Sequence, residues 1–572
     1  MINFQTDHVY DSAHSLVDGK VASRVNGKDA SLYDFSENAK VFARDYMGWT
    51  SLASNPPYPI EDIQSFADEM FVKGMNTVVL IGQGGSTQAP MTMTKYNAVD
   101  SNLIKFRTMD SVSPARVRSI LAGIDPKTTL FIQSSKSGST IEPSLITKAV
   151  FDYLKDYLPE DEIACHFVAI TDPGSVLERE AKEQGWVKVF PGEPTVGGRY
   201  SALSVFGLVP AALVGISLDE LMSSAREAER ICSEDSLENP AILLASFLYD
   251  NLRNGRDKFS FLCPKRGRVL GLWVEQLVAE SVGKEGHGVL PNIEIDPLTL
   301  SFDPGDRSVI VYNTKTDLWD ERQNFARSTE FISETVPRMT FSVEGVNDLV
   351  GHFVMWEYAI AMLGYLMKVC PFDQPDVQIA KTEVLSILKE GRPAPTCVQG
   401  GLCGVPLGPV EVSVSQVLRD KLWRLSVGES LRVLLGSVKP GDFFSINAFL
   451  PFAGEGRREA LEEIRHAFAD RYGIVSCLEI GPRYLHSVGQ LQKGGMNKGV
   501  YLILSSEESK DIPVDDERAS SLGELAKAQA LGDFTVLNER GRRAVYLHLP
   551  DNSAMTLRAL AKAIRHAMIQ KM

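Results

Sequence analysis

Positive charge is scarce in this chain. Its 59 lysines and arginines are outnumbered by 73 aspartates and glutamates, which leaves a net charge of −14 over 572 residues. That balance argues against general binding of nucleic acid or of an acidic membrane surface, both of which need a basic face. It leaves room for a small phosphorylated ligand, because a few local donors override a global charge. Long apolar runs are also missing. The longest, Tyr358 to Met367, is about half of the roughly twenty residues that a membrane span needs, so a buried helix is expected there. The opening residues, MINFQTDHVYDSAHS, have neither a basic nor an apolar stretch of the kind that makes a secretory signal, so a cytoplasmic location is expected. Cysteine is sparse, odd in number (7) and scattered. Cys397 and Cys403 share a Gly/Pro-rich stretch, but no nearby histidine or second cysteine pair completes a zinc pattern. Reduced, structural thiols are expected. No short-period repeat is visible.

What remains is an ordinary globular composition, 44% hydrophobic and 23% charged, long enough for about two to four domains. Residues 1–70 read as mainly helical and irregular. From there strand-like and helix-like segments alternate. Thr77–Ile81 runs into Gly82-Gln-Gly-Gly-Ser86, and Thr128–Ile132 runs into a hydroxyl-rich turn. Cys165–Ile170 and Trp186–Phe190 follow. Such alternation predicts a parallel sheet flanked by helices, with ligands at the carboxyl ends of its strands. We read a first α/β domain over 71–237 and a second over 238–390, with strands at Phe259–Cys263, Ser308–Tyr312 and Met339–Ser342 and an apolar helix over about Leu349–Val369. A linker is expected over 391–412, around GRPAPTCVQGGLCGVPLGP. A C-terminal α/β region over 413–572 has strands at Phe443–Ile446, Val500–Leu504 and Ala544–Leu549.

The most informative segment is QSSKSGSTIEP, Gln133 to Pro143. Five of the seven residues from Ser134 to Thr140 carry hydroxyls, and Lys136 and Gly138 stand among them. A strand-to-helix turn of this kind is a seat for a phosphate, because a helix N-terminus offers unpaired N–H groups and partial positive charge. The same residues also suit a loop that only caps a helix. In GGRYS, Arg199 follows two glycines at the mouth of a helix; it reads as a fixed planar cation for an oxyanion, or as a surface arginine. In VLGLWVEQLVAESVGK, Gln276 and Glu280 are four apart and share a helix face. A carboxylate ending a largely apolar helix suits a general base, though such a residue is more often simply solvated. In PFDQPDVQIAK, Gln374 and Lys381 lie two turns apart, where ordinary turn chemistry also explains the residues. In GPRYLHSVGQLQKGG, His486 sits between glycine-rich flanks, as a proton carrier or a hydrogen-bonded structural histidine. His352, on or beside the apolar helix, reads as a packed or edge residue.

Five of these motifs, IGQGGS at Ile81, SSKSGSTIEP at Ser134, VGGRYS at Val196, QLVAESVGK at Gln276 and PFDQPDVQIAK at Pro371, resemble those of the glucose-6-phosphate isomerases of the sugar-isomerase-domain type, in family order over about 80–385. One feature departs from the common bacterial pattern. The LHSMGQ-like motif that carries the family histidine usually lies between the glutamate and lysine motifs; here LHSVGQLQKGG follows the lysine, at Leu485. That arrangement resembles the isomerase portion of bifunctional transaldolase/glucose-6-phosphate isomerases. No transaldolase barrel fits before residue 70, and that activity is not expected.

The resemblance implies tandem sugar-isomerase domains plus the C-terminal α/β region, and an aldose–ketose isomerase of glycolysis and gluconeogenesis with no cofactor and no metal. It implies that Gly85, Ser86, Ser135, Lys136, Ser137 and Thr140 hold the sugar phosphate, and that Gln276 and Gln374 place hydroxyls. His486, oriented by Glu142 and assisted by Lys381, would open the pyranose ring. Glu280 would move a proton between C2 and C1, and Arg199 would stabilise the enediolate. The implied partner is a small sugar phosphate, with no nucleic acid or membrane, in a homodimer. Two alternatives stand beside this: a phosphosugar sensor without turnover, and an isomerase that also accepts mannose 6-phosphate. The clustered His/Glu ligands of a metal-dependent, cupin-type isomerase are missing from the sequence.

Overall fold

A computed structural model describes residues 2–6, 9–97, 104–294, 297–390, 396–402, 405–451 and 456–569. The chain divides into two compact units. The first comprises 1–110, 124–283 and 287–373; the second comprises 111–123, 284–286 and 374–572. The helix that carries Lys381 therefore groups with the C-terminal residues.

The first unit holds two sheets built from β1 (Asn3–Thr6), β2 (Thr77–Gly82), β3 (Lys105–Met109), β4 (Thr129–Ser134), β5 (Phe167–Thr171), β6 (Lys188–Pro191), β7 (Lys258–Leu262), β8 (Leu290–Glu294), β9 (Arg307–Thr314) and β10 (Arg338–Val343). One sheet has the order β3-β2-β4-β5-β6 and is parallel throughout. Its inner strands β2, β4 and β5 are buried at every residue, which is why they read as unbroken apolar runs and not as alternating ones. The other sheet has the order β1-β10-β9-β7-β8. The two follow one plan: a first strand (β2 or β7), the next on one side of it (β3 or β8), and the following two on the other (β4 and β5, or β9 and β10). They differ at the fifth position. The first sheet places parallel β6 there; the second borrows β1 from the N-terminus, antiparallel to β10. That strand adds one extended element to the mainly helical and irregular reading of residues 1–70.

The second unit has β11 (Thr396–Leu402), β12 (Val405–Val414), β13 (Phe443–Phe449), β14 (Val475–Ile480), β15 (Gly499–Ser506) and β16 (Arg543–Leu549), in the order β11-β12-β16-β15-β13-β14. β13 to β16 are parallel, and β12 and β11 extend the sheet antiparallel. The stretch expected as a linker thus supplies two strands. Its residues 391–395 and 403–404, including Cys403, lie outside the described residues.

The helix Val346–Met367 is, among the described residues, the one long and apolar enough to cross a membrane. In this fold every residue from Leu349 to Gly364 is buried, as an all-round apolar helix inside a core must be. His352 lies in it fully buried, its Nδ1 at 3.1 Å from Tyr312 Oη, and burial pulls its imidazole down to about 3. Of the two readings, packed or edge, it is the packed one. Glu357 is less expected. It is 2% exposed, its Oε1 makes no hydrogen bond, and burial holds its carboxyl well above the usual carboxylate range. A folded-state pKa above the unfolded one means that folding takes up a proton. The stability is then full at acid pH and is lost as pH rises from the ordinary carboxylate range toward the raised value, by at most about 1.4 kcal/mol per pH unit. Glu357→Gln is expected to remove this slope, so that the variant's unfolding midpoint gains on the parent's as pH rises above about 5. Two parallel curves of midpoint against pH would contradict it.

Candidate active site

The order β3-β2-β4 reverses direction between β2 and β4, which is where open α/β sheets bind ligands. The register pairs Ile81 with Gln133 and Gly82 with Ser134, so the two polar turns leave the sheet side by side. After β2, the helix Gly85–Tyr96 starts at once. Gly85 has no room for a side chain: a Cβ would lie 2.0 Å from the Gly198 carbonyl oxygen. This contact fixes the helix start against the residue that precedes Arg199. After β4, Ser135 Oγ donates to Thr140 Oγ1 at 3.3 Å, and Ser139 N and Oγ donate to Ser137 Oγ at 3.3 and 3.0 Å. Thr140 stands at the N-cap of the helix Ile141–Leu154 and makes no side-chain capping bond, so capping alone does not account for the turn. Gly138 supplies the left-handed φ of 67° at its tip. Glu142 is buried in the first helical turn, where the helix dipole favours an acid.

Lys136 differs from the expectation of a phosphate ligand. Its Nζ lies 2.5 Å from Asp172 Oδ2 and donates to the carbonyls of Glu193 and Pro194 at 3.1 and 3.4 Å. A half-buried ammonium so satisfied ties the turn to β5 and the 193–194 loop.

The second cluster of the first unit centres on the helix Arg268–Val282, buried at every residue from Trp273 to Val282. Gln276 Nε2 donates to Glu280 Oε2 at 3.2 Å, as the four-residue spacing predicts. Gln276 Oε1 is buried and makes no hydrogen bond. Arg199 Nη1 lies 3.7 Å from Glu280 Oε1, with the two side chains 3% and 10% exposed. The guanidinium is held from behind: Nε donates to Ser281 Oγ at 2.8 Å, and Nη2 donates to the carbonyls of Pro371 and Asp373 at 2.6 and 3.0 Å. A fixed carboxylate with an amide on one oxygen and a cation beside the other can take a proton from carbon and hold the charge that results.

Gln83 was not singled out by its sequence. It is 8% exposed, and both its amide atoms, like Ser134 Oγ at the paired strand end, are buried without a hydrogen-bond partner. Each such group costs about 1–3 kcal/mol, and a ligand with hydroxyl or phosphoryl oxygens would offset it. The signal available was an amide inside a glycine turn.

The remaining expected residues belong to the second unit. Gln374 precedes the helix Pro375–Glu390, which carries Lys381; both are exposed. His486 closes a single 3-10 turn, Arg483–His486, half-buried between buried neighbours.

A family model described as phosphoglucose isomerase matches residues 62–296, which takes in both clusters of the first unit and leaves Lys381 and His486 outside. A glucose-6-phosphate isomerase of Mycoplasmopsis pulmonis is 28% identical over 400 residues, 60% of this chain and 91% of that protein. One from Carboxydothermus hydrogenoformans is 35% identical over 252 residues, 42% of this chain and 53% of that protein. The crystal structure of a glucose-6-phosphate isomerase from Chlamydia trachomatis shares the fold, with a TM-score of 0.55 at 18% identity over 68% of this chain and 89% of that one. Over these spans the chain is similar to glucose-6-phosphate isomerases, and the matching family model covers residues 62–296 of its 572.

Because the Gly85 helix start has no space to yield, Gly85→Ala should lower the unfolding midpoint, by a cost of about 1–3 kcal/mol. An unchanged midpoint would show that the close contact with Gly198 is not a constraint.

Proposed function

We propose that the chain interconverts glucose 6-phosphate and fructose 6-phosphate by proton transfer through a cis-enediol. The observation that carries this reading is the placement of Arg199 Nη1 at 3.7 Å from Glu280 Oε1, with Gln276 on the other carboxylate oxygen. Isomerisation of an aldose is a carbon-acid reaction. Glu280 takes the proton from C2 of the open-chain aldose, the electrons move into the C1 carbonyl, and Arg199 balances the enediolate charge. The O2 hydroxyl proton passes to O1, and Glu280, whose acquired proton exchanges with solvent, delivers a proton to C1 as O2 becomes the carbonyl, so no redox partner is needed. Positioning supplies roughly 7–11 kcal/mol in the ideal case, and a fixed oxyanion donor about 3–4.

The ring-opening half is assigned by motif. His486 delivers a proton to the ring oxygen as its bond to C1 breaks, Glu142 orients the imidazole, and Lys381 assists on the other side of that bond. Ser86, Ser135, Ser137 and Thr140 hold the phosphate, and Gln276 and Gln374 hold hydroxyls. The position of LHSVGQ after the lysine likens the chain to the isomerase portion of bifunctional transaldolase/glucose-6-phosphate isomerases. The reaction is one of glycolysis and gluconeogenesis, placed in the cytoplasm, and the resemblance adds a homodimer.

A coupled assay that starts from fructose 6-phosphate and reads glucose 6-phosphate, with EDTA present, should show turnover. Binding without turnover would favour a phosphosugar sensor. Glu280→Gln should keep phosphosugar affinity and lose about 10²–10⁴ in kcat; near-parental kcat would remove Glu280 as the base. His486→Ala is expected to slow cyclic substrate far more than an aldose phosphate too short to close a ring. Equal losses on both would remove His486 from ring opening.

A further inference from the structure

The segment that carries His486 is anchored within the second unit by a buried polar network. Lys493 Nζ lies 2.5 Å from Asp533 Oδ1, with side-chain exposures of 1% and 0%. Asp533 Oδ2 accepts from Tyr484 Oη at 2.6 Å and from Asn447 Nδ2 at 3.2 Å. Asn447 Nδ2 also donates to Gln492 Oε1 at 2.8 Å, and Arg542 Nη2 donates to the carbonyls of Lys493 and Gly495. Removing any one of these partners leaves a buried charge or dipole uncompensated, so the segment has little freedom to shift.

From this anchored segment Gln490 grips one residue twice. Its Oε1 accepts from Asp376 N at 3.0 Å, and its Nε2 donates to Asp376 Oδ2 at 2.7 Å. Gln490 is 0% exposed and Asp376 4%. The other carboxylate oxygen, Oδ1, accepts from Arg540 Nη2 at 2.5 Å. The approach is close enough that a Cβ on Gly494 would lie 2.2 Å from Asp376 Oδ2. Asp376 sits in the first turn of the helix that carries Lys381, and Gln490 follows His486 by one short turn of chain. The two motifs that sequence alone leaves more than a hundred residues apart are thus joined through two side chains.

We propose that Gln490 and Asp376 are positioning residues for ring opening: their paired hydrogen bonds fix the His486 segment to the start of the Lys381 helix, so that both groups are presented as one set. The proposal rests on the isomerase reading above. It explains why an anchored loop spends a fully buried carboxamide on the first turn of another element. A misplacement of about 1 Å in such a set costs on the order of a hundredfold in rate.

Ring opening has its own readout, exchange between the α and β anomers of glucose 6-phosphate, which proceeds without proton transfer at C2 and is followed by exchange NMR. In Gln490→Met, which keeps length and apolar packing, anomer exchange and kcat should both fall at least tenfold while the Kd for fructose 6-phosphate stays within threefold. Gln490→Glu sets two carboxylates together and should show the same loss. Adding Asp376→Asn should restore anomer exchange to within threefold of the parent, because the new carboxylate at 490 accepts from the new amide at 376 and from its backbone N–H, while the amide oxygen still accepts from Arg540. This pair of variants also serves if Gln490→Met does not fold. Parental anomer exchange in Gln490→Met, or a double variant as slow as Gln490→Glu, overturns the proposal and leaves the isomerase reading standing. A parent protein inert in both anomer exchange and isomerisation overturns both. One that exchanges anomers without making fructose 6-phosphate overturns the isomerase reading alone.

Discussion

A buried guanidinium sets the terms for the first unit. Arg199 is 3% exposed, and a cation taken out of water costs several kcal/mol unless its donors are met. It meets them with Ser281, beside Glu280, and with the backbone carbonyls of Pro371 and Asp373, at the close of the long core helix's following turn. Three stretches far apart in sequence are therefore held at one point, each by a bond that the cation needs. Glu280 lies beside it at 3.7 Å, longer than a hydrogen bond. The carboxylate is thus charge-balanced without being locked by the arginine, while Gln276 fixes its other oxygen. A base that must accept and return a proton is served by such an arrangement. The contact of Gly85 with Gly198 adds the strand-end turn to the same constellation, because Gly198 is the residue next to Arg199.

The inner strands of each sheet are legible because burial on both faces fills most of their positions with apolar residues. Thr77–Gly82 and Thr129–Ser134 differ from the expected spans by only a residue or two. The strands that escaped notice are edges. β3 reads KFRTM, with its first residues facing solvent. β8 reads LPNIE, and its proline is tolerable because an edge strand has a side with no ladder to donate to. β1 and the β11–β12 pair lie at or next to sheet edges too, and the glycines and prolines of the latter read as a linker. Local pattern carries the core of a sheet well and its margins poorly, since margins are set by what happens to lie beside them.

The candidate site shows the same division. Gln276 and Glu280 were readable as a pair from a four-residue spacing on one helix. The bonds of Arg199 to Ser281 and to Pro371 and Asp373 span loops that no local rule connects, and the grip of Gln490 on Asp376 was invisible for the same reason. Composition places Lys136 among hydroxyls, and only the fold shows that an acidic neighbour on the next strand's turn, Asp172, pairs with its ammonium. Gln83 passed unnoticed because only burial reveals that its amide has no partner.

The central claim is that Glu280 moves a proton between two carbons, and hydrogen exchange with solvent tests it most directly. Glucose 6-phosphate would be incubated with the protein in D2O and the products followed by proton NMR. The account predicts fructose 6-phosphate carrying deuterium at C1, and recovered glucose 6-phosphate carrying it at C2, both lost in Glu280→Gln. Tight binding of the sugar phosphate with no deuterium at either carbon would contradict it.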